Sequence, residues 1–298
     1  MGSVSDPGRR SILVGTAGWA DSDLIASGWY PPGVRSPADR LRHYASVFPL
    51  VEVDSPYYAI PDVSVVRGWA ENTPSGFVMD VKAYSLLTGQ RTPVTSLPPD
   101  LRELTDHAWI SLTNAPKEVV DESWHRFQQA VEPLRTAGRL GLVLLQFPAT
   151  CRPGASGEQL ISDALSRCAP LKAAVEFRNG AWLDARHQDR ALGLLREHGA
   201  AHVCVDMPQS HADAMPLLLA ATADTAVVRL HGRSEQWAGG DKRERYRYEY
   251  SADELDAWAS CARQLSKSAE SVHVVFNNCC GGAAQRAAAG LLERIEAA

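Results

Sequence analysis

Four short segments place two charged or polar side chains two positions apart near the end of an apolar run. They are Glu52 and Asp54, Asp80 and Lys82, Glu176 and Arg178, and Arg229 and His231. Side chains alternate faces along a strand, so each pair points one way. Carboxylates beside guanidinium, ammonium and imidazole groups can move protons and hold an anion. Glu176 is the first candidate for a general acid or base, with Asp206 and Asp54 behind it. His231, just before Gly232, is the best placed of nine histidines. Arg178, Arg229 and Lys82 suit a phosphate or carboxylate. Gln146, Asn277 and Asn278 sit where they would orient a ligand. Trp19 and Tyr57, with Trp29 and Tyr58, follow the first two strands and offer faces to a sugar or a base.

Other readings compete. Two carboxylates flanking a bond can run glycoside chemistry. The same charges can instead simply pair and close the top of a barrel. A carboxylate locked to an arginine is too acidic for base work. Glu176, Asp206, His231 and Asp54 form a mixed oxygen and nitrogen set suited to zinc or manganese. The neighbouring arginines would repel a cation, so the expectation is a site with no metal and no cofactor. Cys279 and Cys280, beside Gly281 and Gly282, precede the last helix and read as small buried residues. Residues 233–250 alternate basic and aromatic types, which suits single-stranded nucleic acid but reads first as a solvated loop.

These residues need a scaffold that gathers strand ends. Strand-like runs occur near 11–15, 50–55, 76–82, 140–148, 173–178, 201–206, 226–232 and 272–278. Helical spacing or caps occupy 37–48, 63–71, 117–137, 156–168, 186–198, 211–221, 251–268 and 283–296. Eight strand-then-helix units predict a single-domain (β/α)₈ barrel of TIM type over 11–298, preceded by a loose tail at 1–10. No G-x-G-x-x-G follows the first strand, which weighs against a doubly wound sheet. The irregular stretch 83–115 is long enough to serve as a lid.

With 298 residues, the chain has room for one large barrel. Thirty basic and 35 acidic residues leave a net charge of −5, which makes nucleic acid a disfavoured partner. The expected partner is a small anionic or sugar-like molecule. No run reaches the ~20 apolar residues of a membrane span. The six cysteines include no C-x-x-C pair, so free thiols and a cytoplasmic location are expected.

Several motifs, taken together and in order, resemble the YecE-like family, domain of unknown function 72. They include Gly15-Thr16-Ala17-Gly18-Trp19, FPLVEVDSPYY over 48–58, and Leu145-Gln146-Phe147-Pro148. Val175-Glu176-Phe177-Arg178, Arg229-Leu230-His231-Gly232 and Phe276-Asn277-Asn278 complete the set. The resemblance covers nearly the whole chain and implies a TIM-type barrel with its site at the strand ends. It implies no particular reaction. Hydrolase or lyase chemistry, an endonuclease-like barrel and a non-catalytic binding protein stay open. Asp54 and Ala59 stand where the family more often has Asn and Arg; Gly89 and Cys279 stand where it often has His.

Overall fold

The structure is a computed structural model that describes residues 11–210, 214–237, 239, 242–278 and 280–297. The expected tail at 1–10 and Cys279 lie outside the described residues. Eight parallel strands close into a barrel. They are β1 Ser11–Ala17, β2 Leu50–Val53, β3 Val78–Lys82, β4 Leu140–Gln146, β5 Ala173–Glu176, β6 Ala201–Asp206, β7 Thr225–Leu230 and β8 Ser271–Phe276. Each strand pairs with the next in sequence, and β1 closes the ring against β8, from Ser11 opposite Ser271 to Thr16 opposite Phe276.

The surrounding long helices are α1 Pro37–Val47, α2 Val63–Glu71, α3 Lys117–Thr136, α4 Ala155–Cys168, α5 Gln188–Glu197, α6 Ala252–Leu265 and α7 Ala283–Glu296. Capping boxes start two of them. Ser36 with Asp39 opens α1, where Pro37 cannot miss an amide partner, and Ser251 with Glu254 opens α6.

The connection from β6 to β7 departs from the expected pattern. A helix was expected over 211–221, but residues 214–221 take no regular secondary structure and 211–213 lie outside the described residues. Polar contacts with the outward side of β6 account for this. Thr222 Oγ1 accepts from His202 N and donates to Ala200 O, both at 2.7 Å, and His202 Nε2 meets Leu218 O at 3.2 Å. A helix would need those backbone and hydroxyl groups for itself, and Pro216 would interrupt it.

Residues 83–115 are likewise packed rather than lid-like. Tyr84, Leu86, Leu87, Leu97, Leu101 and Ile110 are buried, and a two-stranded antiparallel pair joins Thr92–Pro93 to Trp109–Ile110. Inside the barrel, Ala17, Leu50 and Val275 pack with Leu13 and Val78 as an apolar plug. Asp80 sits in the same interior. It binds His273 Nδ1 at 2.8 Å and accepts from Leu142 N at 3.1 Å, where the β3–β4 register shifts. Above the plug, toward the strand carboxyl ends, the inward side chains turn charged.

Candidate active site

Register decides which side chains meet. Glu52 lies opposite Asp80, Gln146 opposite Glu176, and Arg229 opposite Val205 and Val275. Parallel neighbours share a face, so Glu52, Gln146, Glu176 and Arg229 all point inward at one level. Arg229 is the hub. Its Nε donates to Glu52 Oε2 at 2.8 Å, Nη2 to Glu52 Oε1, and Nη1 to Glu176 Oε2. All three side chains are sealed from solvent. Removing one member of such a buried set costs about 3–5 kcal/mol, because an unpaired charge stays behind.

One guanidinium thus serves two carboxylates, and the rest of the shell decides which is better compensated. Glu176 Oε1 also accepts from Gln146 Nε2 at 2.7 Å and Arg178 Nη1 at 3.0 Å. Burial works against its ionisation, but Arg229, His231 and Arg178 together hold its carboxyl well below the usual range. Glu52 lacks the extra cations. Burial pushes it up to about 7, Arg229 opposes, and the nearby Asp54 adds to the rise. Glu52 shares its face with Asp54 in the sequence, yet it stood outside the expected site; the same-face rule was the available signal.

His231 is fully buried, and burial lowers its pKa to about 4, so it is neutral at pH 7. Its Nδ1 meets Asn277 Nδ2 at 2.9 Å. Its Nε2 faces Glu176 Oε1 across a long 3.5 Å contact and has no other partner among the described residues. Trp237 and Tyr246 cover it at ring-centroid distances of 6.2 and 6.1 Å. The described parts of 233–250, expected as a solvated surface loop, therefore bring Trp237 and Tyr246 over the mouth.

The accessible rim is a different group of residues. Lys82 Nζ sits 3.7 Å from Asp54 Oδ1 and 4.2 Å from the centre of the Tyr57 ring. Asp54 Oδ1 is buried but accepts no hydrogen bond among the described residues, although the residue as a whole is partly exposed. Arg178 is also partly exposed, and among the described residues only its Nη1 is committed, to Glu176. Tyr57 has its phenol pKa raised chiefly by burial.

Three expectations need correction. Asp206 is not among the inward group. It lies opposite Leu230, one position off the Arg229 face, and points toward the helix layer. There its Oδ1 accepts from Arg233 Nε at 2.9 Å and its Oδ2 from Tyr250 OH at 2.8 Å. Asn278 also falls on the outward parity and donates to Tyr248 O at 2.8 Å, whereas Asn277 faces inward. Trp19 packs edge-on against Trp69 at 5.9 Å and so anchors its loop on α2 rather than offering a free face. The weighed metal set of Glu176, Asp206, His231 and Asp54 does not converge, since Asp206 leaves it and Glu176 is filled by donors. Among the described residues no group of three His, Cys, Asp or Glu is placed to hold a metal ion.

Fold and mouth together define a TIM-type barrel with a buried charge hub beneath a cationic rim. The chain belongs to the family described as "Protein of unknown function DUF72", whose profile matches residues 13–298. It is 30% identical over 292 residues to the UPF0759 protein YunF of Bacillus subtilis, covering 96% of this chain and 95% of that protein. A crystal structure of a DUF72 family protein from Enterococcus faecalis superposes with a TM-score of 0.79 at 25% identity, covering 96% of this chain and 95% of that one. One from Thermotoga maritima gives 0.77 at 29% identity, covering 96% and 99%. No helix among the described residues is long and apolar enough to cross a membrane.

Proposed function

We propose that this barrel is a metal-independent hydrolase or lyase acting on a small anionic or sugar-like ligand at the carboxyl-end mouth. Lys82 and Arg178 hold the anionic group. Asp54 takes the proton, either from an attacking water or from a carbon beside the anionic group. Glu176 and Arg229 act from below. Glu176 fixes Arg178 in place, Arg229 holds Glu176, and the two supply a dry, preorganised field. His231 and Gln146 complete that floor. The five described cysteines are free thiols, which fits a reducing cytoplasm.

One observation carries this reading: Asp54 Oδ1 is a buried carboxylate oxygen with no hydrogen bond among the described residues, beside a rim ammonium at 3.7 Å. The other mouth carboxylates are committed to Arg229. Buried polar atoms are nearly always satisfied in native proteins, so an open acceptor beside the Lys82 ammonium is a place for a ligand proton. The assignment therefore moves from Glu176, the first sequence candidate, to Asp54, a second one.

The test is turnover of a panel of chromogenic nitrophenyl phosphates, carboxylic esters and glycosides by wild type and Asp54→Asn. Loss of a general base lowers kcat by about 10²- to 10⁴-fold. Unchanged turnover in Asp54→Asn sinks the assignment. A ligand bound stoichiometrically but recovered intact after long incubation would instead favour a non-catalytic binding protein.

A further inference from the structure

Beside the mouth lies a cavity of about 770 Å³, lined by Ala149, Thr150, Arg152, Arg178, Asn179, Gly180, Ala181, Ala214 and Pro216. Its walls are held firmly. Asn179 spends both ends of its amide on the wall itself: Nδ2 donates to Ala149 O at 2.7 Å and Oδ1 accepts from Ala181 N at 3.1 Å. Trp182 stacks on Phe177 and donates from Nε1 to Cys151 O at 2.8 Å. At Gly180 a Cβ would come within 2.8 Å of Ala214 O, so only glycine lets the strap at 214–216 close that side.

The polar groups left to meet a ligand are of one kind. Among the described residues Arg152 has no hydrogen-bond or ion-pair partner, and Arg178 uses only Nη1. Thr150 adds an uncommitted hydroxyl. Among the described residues no carboxylate lines the cavity, in a chain whose net charge is −5. Arg152, with no carboxylate partner among the described residues, and the remaining donors of Arg178 favour phosphate-like or carboxylate oxygens. The volume lies within the roughly 300–1,000 Å³ of small-molecule sites. Arg178 belongs to both spaces: it lines this cavity and is tied to the mouth through Glu176.

We propose that the cavity is a second subsite, which takes a second anionic group of a ligand whose first anionic group is held at Lys82 and Arg178. The ligand class is then a small, two-headed anion with a linker that passes Arg178. This inference rests on the mouth reading above.

Calorimetric titration with methylphosphonate and with linear α,ω-bisphosphonates, of roughly two to six linking carbons, tests it. Wild type, Lys82→Met and Arg152→Ala are compared. The expected result has three parts. Methylphosphonate binding weakens in Lys82→Met. One linker length binds wild type at least about tenfold tighter than methylphosphonate. That gain disappears in Arg152→Ala, while methylphosphonate affinity does not change. If no linker improves on methylphosphonate, or if the gain survives in Arg152→Ala, the second subsite is overturned and the mouth reading stands. If methylphosphonate fails to bind, or binds Lys82→Met equally well, the mouth reading fails and the subsite falls with it.

Discussion

Arg229 and Glu52 meet through two parallel contacts inside the barrel, although 177 positions separate them in the chain. Because Arg229 also binds Glu176, its single charge is shared between two sealed carboxylates. Glu176 recruits Arg178 as well, and Glu52 is left undercompensated.

That imbalance has a measurable sign. Burial raises the Glu52 carboxyl from an ordinary 4.5 to about 7 in the folded protein. The folded state therefore holds a proton that the unfolded chain has released. The associated stability is fully present below about pH 4.5 and is lost as pH rises through 7. Glu52→Gln removes the titration. Relative to wild type, the variant is expected to gain roughly 3 kcal/mol of stability between pH 5 and pH 8. Urea unfolding at the two pH values checks this, and parallel curves for both proteins count against it.

His202 provides the opposite slope. It is buried on the outer face of β6, and burial lowers its pKa to about 4. Its Nδ1 has no hydrogen-bond partner among the described residues, while Nε2 reaches Leu218 O at 3.2 Å. The unfolded chain binds a proton near 6.5 that the folded state refuses, so stability is lost as pH falls from about 6.5 to 4. Replacing His202 with Gln keeps a donor for Leu218 and removes the titration. The acid limb of the unfolding profile is expected to flatten over that window, by up to about 3 kcal/mol. An unchanged acid limb contradicts the assignment.

The barrel was readable from the chain because alternation is a local property. Pairs such as Glu176 and Arg178, or Arg229 and His231, share a face whatever surrounds them. Which face is inward is not local. Asp206 and Asn278 end apolar strands just as Glu176 does, yet both fall on the outward parity, which only barrel register decides. The β6–β7 strap was hidden for a related reason: its partners, His202 and Ala200, are some twenty positions upstream. Residues 233–250 read as a surface loop because nothing in their composition reports that Trp237 and Tyr246 rest on His231.

Asp206 belongs to the anchoring of that loop. Arg233 bridges Asp206 and Glu254, while Tyr248 and Tyr250 hand their hydroxyls to Glu254 at 2.6 Å and Asp206 at 2.8 Å. Gly232, at φ +83°, makes the turn into the loop, where a Cβ would lie 2.5 Å from Tyr248 Cβ. Both ends of the cover over His231 are thus pinned at one carboxylate pair. Asp206→Asn weakens charge-assisted bonds worth about 1.5–3 kcal/mol. Faster amide exchange is expected in the described parts of 233–250, with β5 and β7 unchanged. Exchange that rises equally across the barrel would mean that Asp206 supports the whole fold and not this loop.

The central claim is that Lys82 and Arg178 form the anion-holding rim above the sealed hub. Titration of wild type, Lys82→Met and Arg178→Met with methylphosphonate at low salt and pH 7 addresses it directly. Binding at the mouth is expected in wild type. In each variant it should weaken by about tenfold or more, as loss of a charge-assisted contact requires. Equal affinity in all three proteins, or no binding to wild type, would contradict the account.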